Sequence, residues 1–325
     1  MNMRDSVLVA DIGGTNVRFG LGTTPDQPVE RIRKYTISDF PNPETAVRRY
    51  FDDLGLSTED LEAIGRVCFC AAGPIEDDVV ALTNGSWLID KEQIARSFEL
   101  EFILINDFSG LAYAIPYLPE DELLKLGGGE PEAMSPKAIF GPGTGLGVSG
   151  AVPDRHGGWI TLSGEGGHVA FAPRRELEDR ILAILRRRIT GGRVSAERIL
   201  SGAGLEMLFE SLAEIEQVPV LPQSAKEIVE TGMAEETSLQ RQTISLFCGL
   251  LGKFGGDLAL TLGARGGVYV AGGVAQALRD FLPLSPFRTR FEDKGRMQKF
   301  NQDIPTYLLI GETPALTGCV AAAQR

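Results

Sequence analysis

Short apolar runs that end abruptly in glycine or in a lone acidic residue set the rhythm of this chain. The first is Val7-Leu8-Val9-Ala10. It leads into Asp11-Ile12-Gly13-Gly14-Thr15-Asn16, after which Val17, Phe19 and Leu21 alternate with Arg18 and Gly20. That alternation predicts a β-hairpin over residues 6–22, with Gly13-Gly14 supplying the positive φ of a tight turn. The theme returns at Ala138-Ile139-Phe140, where a glycine-rich turn, residues 141–147, precedes a second strand over residues 148–152. Two such hairpins, each opening a different half of the chain, read as an internal echo and suggest a duplicated lobe.

Between and after them, strand patterns alternate with helix patterns. Strands are predicted over residues 67–72, 79–83, 102–105, 267–271 and 305–310. Helices are predicted over residues 43–54, 176–188, 226–234, 238–263, 274–281 and 313–323, and one starts at residues 194–200 with Ser195 as its N-cap. The long apolar helix carries Gly249, Gly252, Gly255 and Gly256, which suits close packing. Residues 118–137, rich in Pro, Gly and Glu with the triplet Gly127-Gly128-Gly129, mark the boundary between two lobes. The charged stretch 291–296 reads as a solvated loop, and the last helix as one that returns to the first lobe. The fold class is α/β.

Composition narrows this picture. A chain of 325 residues exceeds the size at which one core usually keeps growing, and 43% hydrophobic with 23% charged residues is ordinary globular usage. The formal net charge of -12 disfavours nucleic-acid and anionic-membrane partners, though not a phosphorylated ligand held by backbone amides. Cys68, Cys70, Cys248 and Cys319 do not form a disulfide framework. Cys68 and Cys70 share one face of a strand without further metal ligands nearby. The first seven residues do not resemble a signal peptide, and no run approaches the roughly 18 to 20 apolar residues of a membrane span. The expected location is the cytoplasm.

The chemistry gathers where apolar strands stop. Residues 102–105 deliver Asn106 and Asp107, and a carboxylate on rigid backbone at the rim of a cleft is what a general base requires. The alternative is an Asp that caps the helix beginning at Phe108. Asp11 stands beside turn amides suited to a phosphate oxygen and could bind magnesium through water, or it could simply serve the turn. Residues 267–271 end in Gly272-Gly273 before a helix, a second anion cradle. Asn84 is either a substrate contact or a turn residue. Glu165 and His168, in the glycine-rich loop 163–169, suit a polyhydroxylated ligand; a metal pair there lacks partners, and His156 sits in a polar turn. Glu197 would lie in the first turn of the helix at 194–200, where dipole complementarity and a ligand role are equally open. Gly145, Gly147 and Gly150 fit the dinucleotide fingerprint but precede a strand rather than open a helix, so that reading is rejected. Gly249 to Lys253 is followed by Phe254, which excludes a P-loop.

Asp11-Ile12-Gly13-Gly14-Thr15, Ile105-Asn106-Asp107, Gly143-Thr144-Gly145-Leu146-Gly147, Gly164-Glu165-Gly166-Gly167-His168, Ser195-Ala196-Glu197 and Ala271-Gly272-Gly273 occur here in one order. Together they closely resemble the bacterial glucokinase family of the actin-like ATPase superfamily. The resemblance implies a two-lobed actin-like (ribonuclease H-like) fold of mixed sheets flanked by helices, closing on sugar and nucleotide. It implies a small lobe over residues 1–118 completed by 306–325, and a large lobe over 119–305. Transfer of the ATP γ-phosphoryl group to the 6-hydroxyl of glucose is implied, with Asp107 as base. Asn106, Asp107, Glu165, His168 and Glu197 would bind the sugar. Ala10, Asp11, Ile12, Gly13, Gly14 and Thr15, then Gly143, Thr144 and Gly145, then Gly272 and Gly273 would hold ATP, with Asp11 reaching Mg2+ through water.

Val169-Ala170-Phe171-Ala172-Pro173 follows His168 without a cysteine, so no zinc is expected. No DNA-binding helix pair precedes the first strand, which disfavours the repressor branch of related sugar kinases. A homodimer is expected by the same resemblance. Two alternatives stay open: a kinase for another hexose or N-acetylhexosamine, and a sugar-independent regulatory ATPase on the same fold.

Overall fold

The computed structural model describes residues 6–73, 75–82 and 87–325. Asn84, Thr83 and the first five residues lie outside the described residues. The chain divides into two compact units. The first comprises Met1–Glu120, Gly158–Ser163 and Gly311–Arg325; the second comprises Asp121–Gly157 and Gly164–Ile310.

In the first unit, strands β1 (Val7–Ile12), β2 (Asn16–Gly22), β3 (Glu30–Thr36), β4 (Arg66–Ala71) and, after the small hairpin β5 (Val79–Ala81) and β6 (Leu88–Asp90), β7 (Glu101–Asn106) form one sheet in the order β3-β2-β1-β4-β7. β1 and β2 make the expected antiparallel hairpin, while β1, β4 and β7 run parallel. Period-two alternation sorts their side chains between two cores. Leu8, Ala10, Ile12, Val67, Phe69 and Ala71 join Phe19 and Tyr50 on one face. Val7, Val9, Cys68 and Cys70 face the other, against Leu316, Cys319 and Val320. Helices α1 (Pro43–Leu54), α2 (Thr58–Ala63), α3 (Lys91–Phe98) and α4 (Asp107–Ala114) follow the strands. The four cysteines are free and buried, as packing residues should be.

In the second unit, β8 (Leu123–Gly127), β9 (Lys137–Pro142), β10 (Leu146–Pro153), β12 (Val268–Val270) and β13 (Thr306–Leu309) lie in the order β10-β9-β12-β13-β8; β11 (Trp159–Gly164) carries the chain from Gly158–Ser163 back into this unit. β9 and β10 pair antiparallel, and β9, β12 and β13 run parallel. That repeats the β2-β1-β4-β7 pattern of the first unit, so the internal echo is a real duplication of topology. The repeated order is the ribonuclease H-like order of the actin-like ATPase fold. Around the sheet lie α5 (Glu176–Arg188), α6 (Gly202–Glu216), α7 (Ala225–Ala234), α8 (Leu239–Leu262), α9 (Gly273–Ala277), α10 (Phe287–Glu292) and α11 (Gln298–Asp303); α12 (Pro314–Ala323) belongs to the first unit.

Several expectations need correction. The division between the units at Glu120 and Asp121 falls inside residues 118–137, but the rest of that stretch is structured: β8 pairs with β13 and the glycine triplet is pressed onto its neighbours, Gly128 having φ 91° and room for no Cβ, which would stand 2.1 Å from Ile304 O. The segment 306–325 is divided, β13 staying in the second sheet and α12 lying in the first unit. α8 is a 24-residue helix that by length and composition could cross a membrane, contrary to the sequence reading. Its glycines explain its place instead: Cβ atoms at Gly252 and Gly256 would meet Phe287 O and Phe291 O at 2.0 and 2.4 Å, so α10 lies directly on it. The stretch 291–296 is not simply solvated, since Phe291 is buried and Lys294 Nζ donates to Asp257 at 2.7 Å.

Candidate active site

The parallel register of β1, β4 and β7 aligns Ile12, Ala71 and Asn106 at one end of the first sheet. There the apolar run stops and α4 begins. Asn106 is the N-cap: its Oδ1 accepts from Phe108 N at 2.9 Å and its Nδ2 donates to Gly73 O at 3.0 Å. Asp107 is the first helical residue, and its Oδ1 shares the same Phe108 N–H at 2.9 Å. Capping is thus chiefly the task of Asn106. Burial pushes the Asp107 carboxyl up to about 6; the Phe108 N–H opposes this, while the charge of Asp11 adds to it.

Asp11 lies one residue before the end of β1, opposite Arg18 of β2. Its Oδ2 is 3.4 Å from Arg18 Nη1, and Cys70 Sγ lies 3.8 Å from Oδ1. Burial raises its carboxyl, and the guanidinium only partly opposes that. The turn between the strands is closed by Gly13 N donating to Asn16 O at 3.0 Å. Neither Gly13 nor Gly14 takes the positive φ expected of it. The four-residue span closes with both in ordinary backbone, so conformation is not the reason for glycine there. Arg18 was missed in the sequence, although hairpin register alone would have placed it across from Asp11.

In the second unit, Glu165 precedes a short 3-10 turn, Gly166–His168. His168 Nε2 lies 3.8 Å from Glu165 Oε2, and its Nδ1 lies 3.9 Å from Glu197 Oε1. Glu197 is not in a helix. Ser195 bridges Ala170, Ala196 N donates to Val169 O, and Glu197 N donates to Gly167 O, while Ile199 N and Leu200 N donate to Ala196 O, so residues 196–200 make a single turn that does not continue as a helix. The helix begins only at Gly202, capped by Ser201, so the dipole explanation of Glu197 falls away.

The glycines of the β9–β10 turn and of the β12–α9 junction divide into two kinds. Gly272 has φ 90° and its Cβ would stand 2.4 Å from Pro142 O, so the fold itself demands glycine and sets this junction against the end of β9. A Cβ at Gly145 would meet Glu197 Oε2 at 2.5 Å. Gly143 and Gly273 are different: neither has a positive φ, and a Cβ at either would enter open space. Neither backbone nor packing requires glycine at those two positions, which leaves room for a group from outside the chain to approach the backbone. Phosphate oxygens fit that space.

The first unit therefore brings Asp11, Asn106 and Asp107 to neighbouring strand ends. The second brings Glu165, His168 and Glu197 together, and sets Gly143, Thr144 and Gly145 in the turn beside Gly272 and Gly273. Among the described residues no three His, Cys, Asp or Glu side chains form a direct metal site. Asp11, a half-buried carboxylate whose charge Arg18 offsets only in part, fits a magnesium ion that keeps its waters and takes its other ligands from phosphate.

The family described as Glucokinase matches residues 8–325. The glucokinase of Neisseria meningitidis is 41% identical over 316 residues, covering 97% of this chain and 94% of that protein. The glucokinase of Salmonella typhi is 42% identical over 320 residues, covering 97% of this chain and 96% of its own. The crystal structure of a glucokinase from an Antarctic psychrotroph superposes with a TM-score of 0.89 at 32% identity, over 98% of this chain and 99% of that one.

Proposed function

The chain belongs to the glucokinase family, and we propose that Asp107 is the general base of its reaction. That reaction is ATP-dependent phosphorylation of a hexose: the γ-phosphoryl group passes to the 6-hydroxyl of glucose, giving glucose 6-phosphate and ADP. Asp107 accepts the hydroxyl proton as the oxygen attacks phosphorus. The observation that carries this assignment is a carboxyl fixed at the junction of β7 and α4 and pushed up to about 6, close to the working pH of a base. A carboxylate near 4 would be the weaker acceptor.

Asn106, Glu165, His168 and Glu197 bind the sugar hydroxyls, and Asn106, tied to Gly73 and Phe108, also holds Asp107 in place. Ala10, Asp11, Ile12, Gly13, Gly14 and Thr15 with Gly143, Thr144, Gly145, Gly272 and Gly273 hold the nucleotide, chiefly through backbone amides. Asp11 would retain Mg2+ through water, and the ion supplies charge neutralisation at the phosphate oxygens. Phosphoryl transfer leaves little covalent work to the protein, so positioning and electrostatic stabilisation carry the rate. The enzyme acts in the cytoplasm as a homodimer; light scattering should give twice the 35.1 kDa of the chain.

Glucose-dependent ADP release, with the product phosphate located on carbon six, tests the reading. ADP release without sugar would instead support a regulatory ATPase, and faster turnover of mannose or an N-acetylated hexose in the same assay would move the substrate assignment.

A further inference from the structure

Within the second unit, the loop that carries His168 is pressed onto the start of β10, directly after the β9–β10 turn. A Cβ on Gly167 would stand 2.1 Å from Leu146 O, and one on Gly166 would stand 2.8 Å from Val148 Cγ1. Glu197 spans the two segments. Its Oε2 accepts from Leu146 N at 3.0 Å, its Oε1 lies 3.9 Å from His168 Nδ1, and its own N–H donates to Gly167 O at 2.9 Å. On the other flank of the turn, Gly202 N donates to Gly143 O at 2.9 Å. One carboxylate therefore has one oxygen on the nucleotide-side turn and the other toward a sugar-side imidazole.

We propose that Glu197 is a positioning residue that couples the two substrates. A sugar hydroxyl bound at Oε1 fixes the plane of the carboxylate. Oε2 then holds the Leu146 N–H, and with it the backbone of residues 143–145, in the arrangement that receives the triphosphate. The inference rests on the sugar site assigned above but goes beyond it, because ligating a hydroxyl requires nothing of Oε2. Gly145 belongs to the same device: a side chain there would press on Oε2 and turn the Glu197 carboxylate away from Leu146, while the other four sugar ligands stay in place. Coupling of this kind is reciprocal, so glucose must tighten nucleotide by the factor by which nucleotide tightens glucose.

The test is calorimetric titration of the whole enzyme with a non-hydrolysable ATP analogue and magnesium, with and without saturating glucose. The wild type should show coupling on the order of tenfold. Gly145→Ala should still bind glucose alone, more weakly than wild type through the four ligands left undisturbed, while its coupling factor falls toward one. In steady state its KM for ATP should then cease to depend on the glucose concentration. Glu197→Ala should lose both glucose affinity and coupling. A merely structural role would weaken the binary affinities and leave the coupling factor alone.

Wild-type coupling retained in both variants, or no coupling in the wild type, overturns the proposal. If Glu197→Ala leaves glucose affinity untouched, the sugar-site assignment itself fails. If Glu197→Ala binds no glucose at all, Gly145→Ala decides. If Gly145→Ala does not fold, Glu197→Asp decides by the same criterion, since the shorter side chain cannot reach Leu146 N and the sugar together.

Discussion

The two units share a strand order but treat buried charge in opposite ways. In the second, Glu178 of α5 and Arg290 of α10 are almost wholly buried and pair directly, and Glu178 also accepts from Arg174 N at 2.8 Å. In the first, Asp11 and Asp107 stand at strand ends with their carboxyls raised by burial, and the charge of Asp11 raises that of Asp107 further. Charge buried for architecture is neutralised by a partner. Charge placed for chemistry is compensated only in part, Asp11 by Arg18 at 3.4 Å and Asp107 by the Phe108 N–H, so that a proton or a cation from a substrate complex can complete it.

The largest effect expected from this contrast is on turnover. Asp107→Ala should lower kcat by about 10^2- to 10^4-fold, the usual worth of a positioned base, while glucose still binds. Near-normal kcat would end the base assignment. Second comes the paired charge. Glu178→Ala should cost about 3–5 kcal/mol of stability by stranding Arg290, and Glu178→Met with Arg290→Leu should recover most of it. A loss below about 1 kcal/mol in denaturant titrations would show that the pair is not structural.

Third, the unpaired carboxylate should behave in reverse. Asp107 titrates near 3.8 unfolded and at about 6 folded, so its protonated form stabilises the native state. That contribution is complete below about pH 4 and is lost as pH rises through about 6. Asp107→Asn should therefore gain up to about 3 kcal/mol at neutral pH, and the gain should vanish near pH 4. The same titration predicts that kcat/KM falls tenfold per pH unit below about 6 as the base becomes protonated. The smallest effect is expected at Asp11→Asn, which should also stabilise at neutral pH but less, because Arg18 already offsets part of its charge.

Much of this was legible in the sequence for a definite reason. Strand β7 and the two hairpins are short apolar runs bounded by glycine or acid, and such runs fix both secondary structure and the polar residues they deliver. Glu197 was not legible in this way. Its neighbours Ser195 and Ala196 carry good helix-start signals and one turn does form over 196–200, yet the N–H groups of Ala196 and Glu197 are committed to Val169 and Gly167, more than twenty-five positions earlier, and the turn goes no further. Long-range bonds of that kind override local propensity and leave no periodic trace. The same holds for residues 118–137: Gly127-Gly128-Gly129 looks like a flexible joint until the backbone of Ile304 is seen against it. Arg18 differs again, since its role follows from register and needed only the cross-strand partner to be written out.

Helix α12 ties the far end of the described chain to its beginning. It packs against the Cys68 and Cys70 face of the first sheet, and Gly318 lies so close to Gly110 O that any side chain there would collide at 1.8 Å. Without α12 the strands bearing Asp11 and Asp107 would expose much of that apolar face. The first unit therefore closes only through contacts between its two sequence-distant parts, and deleting residues 314–323 should lower the yield of folded enzyme.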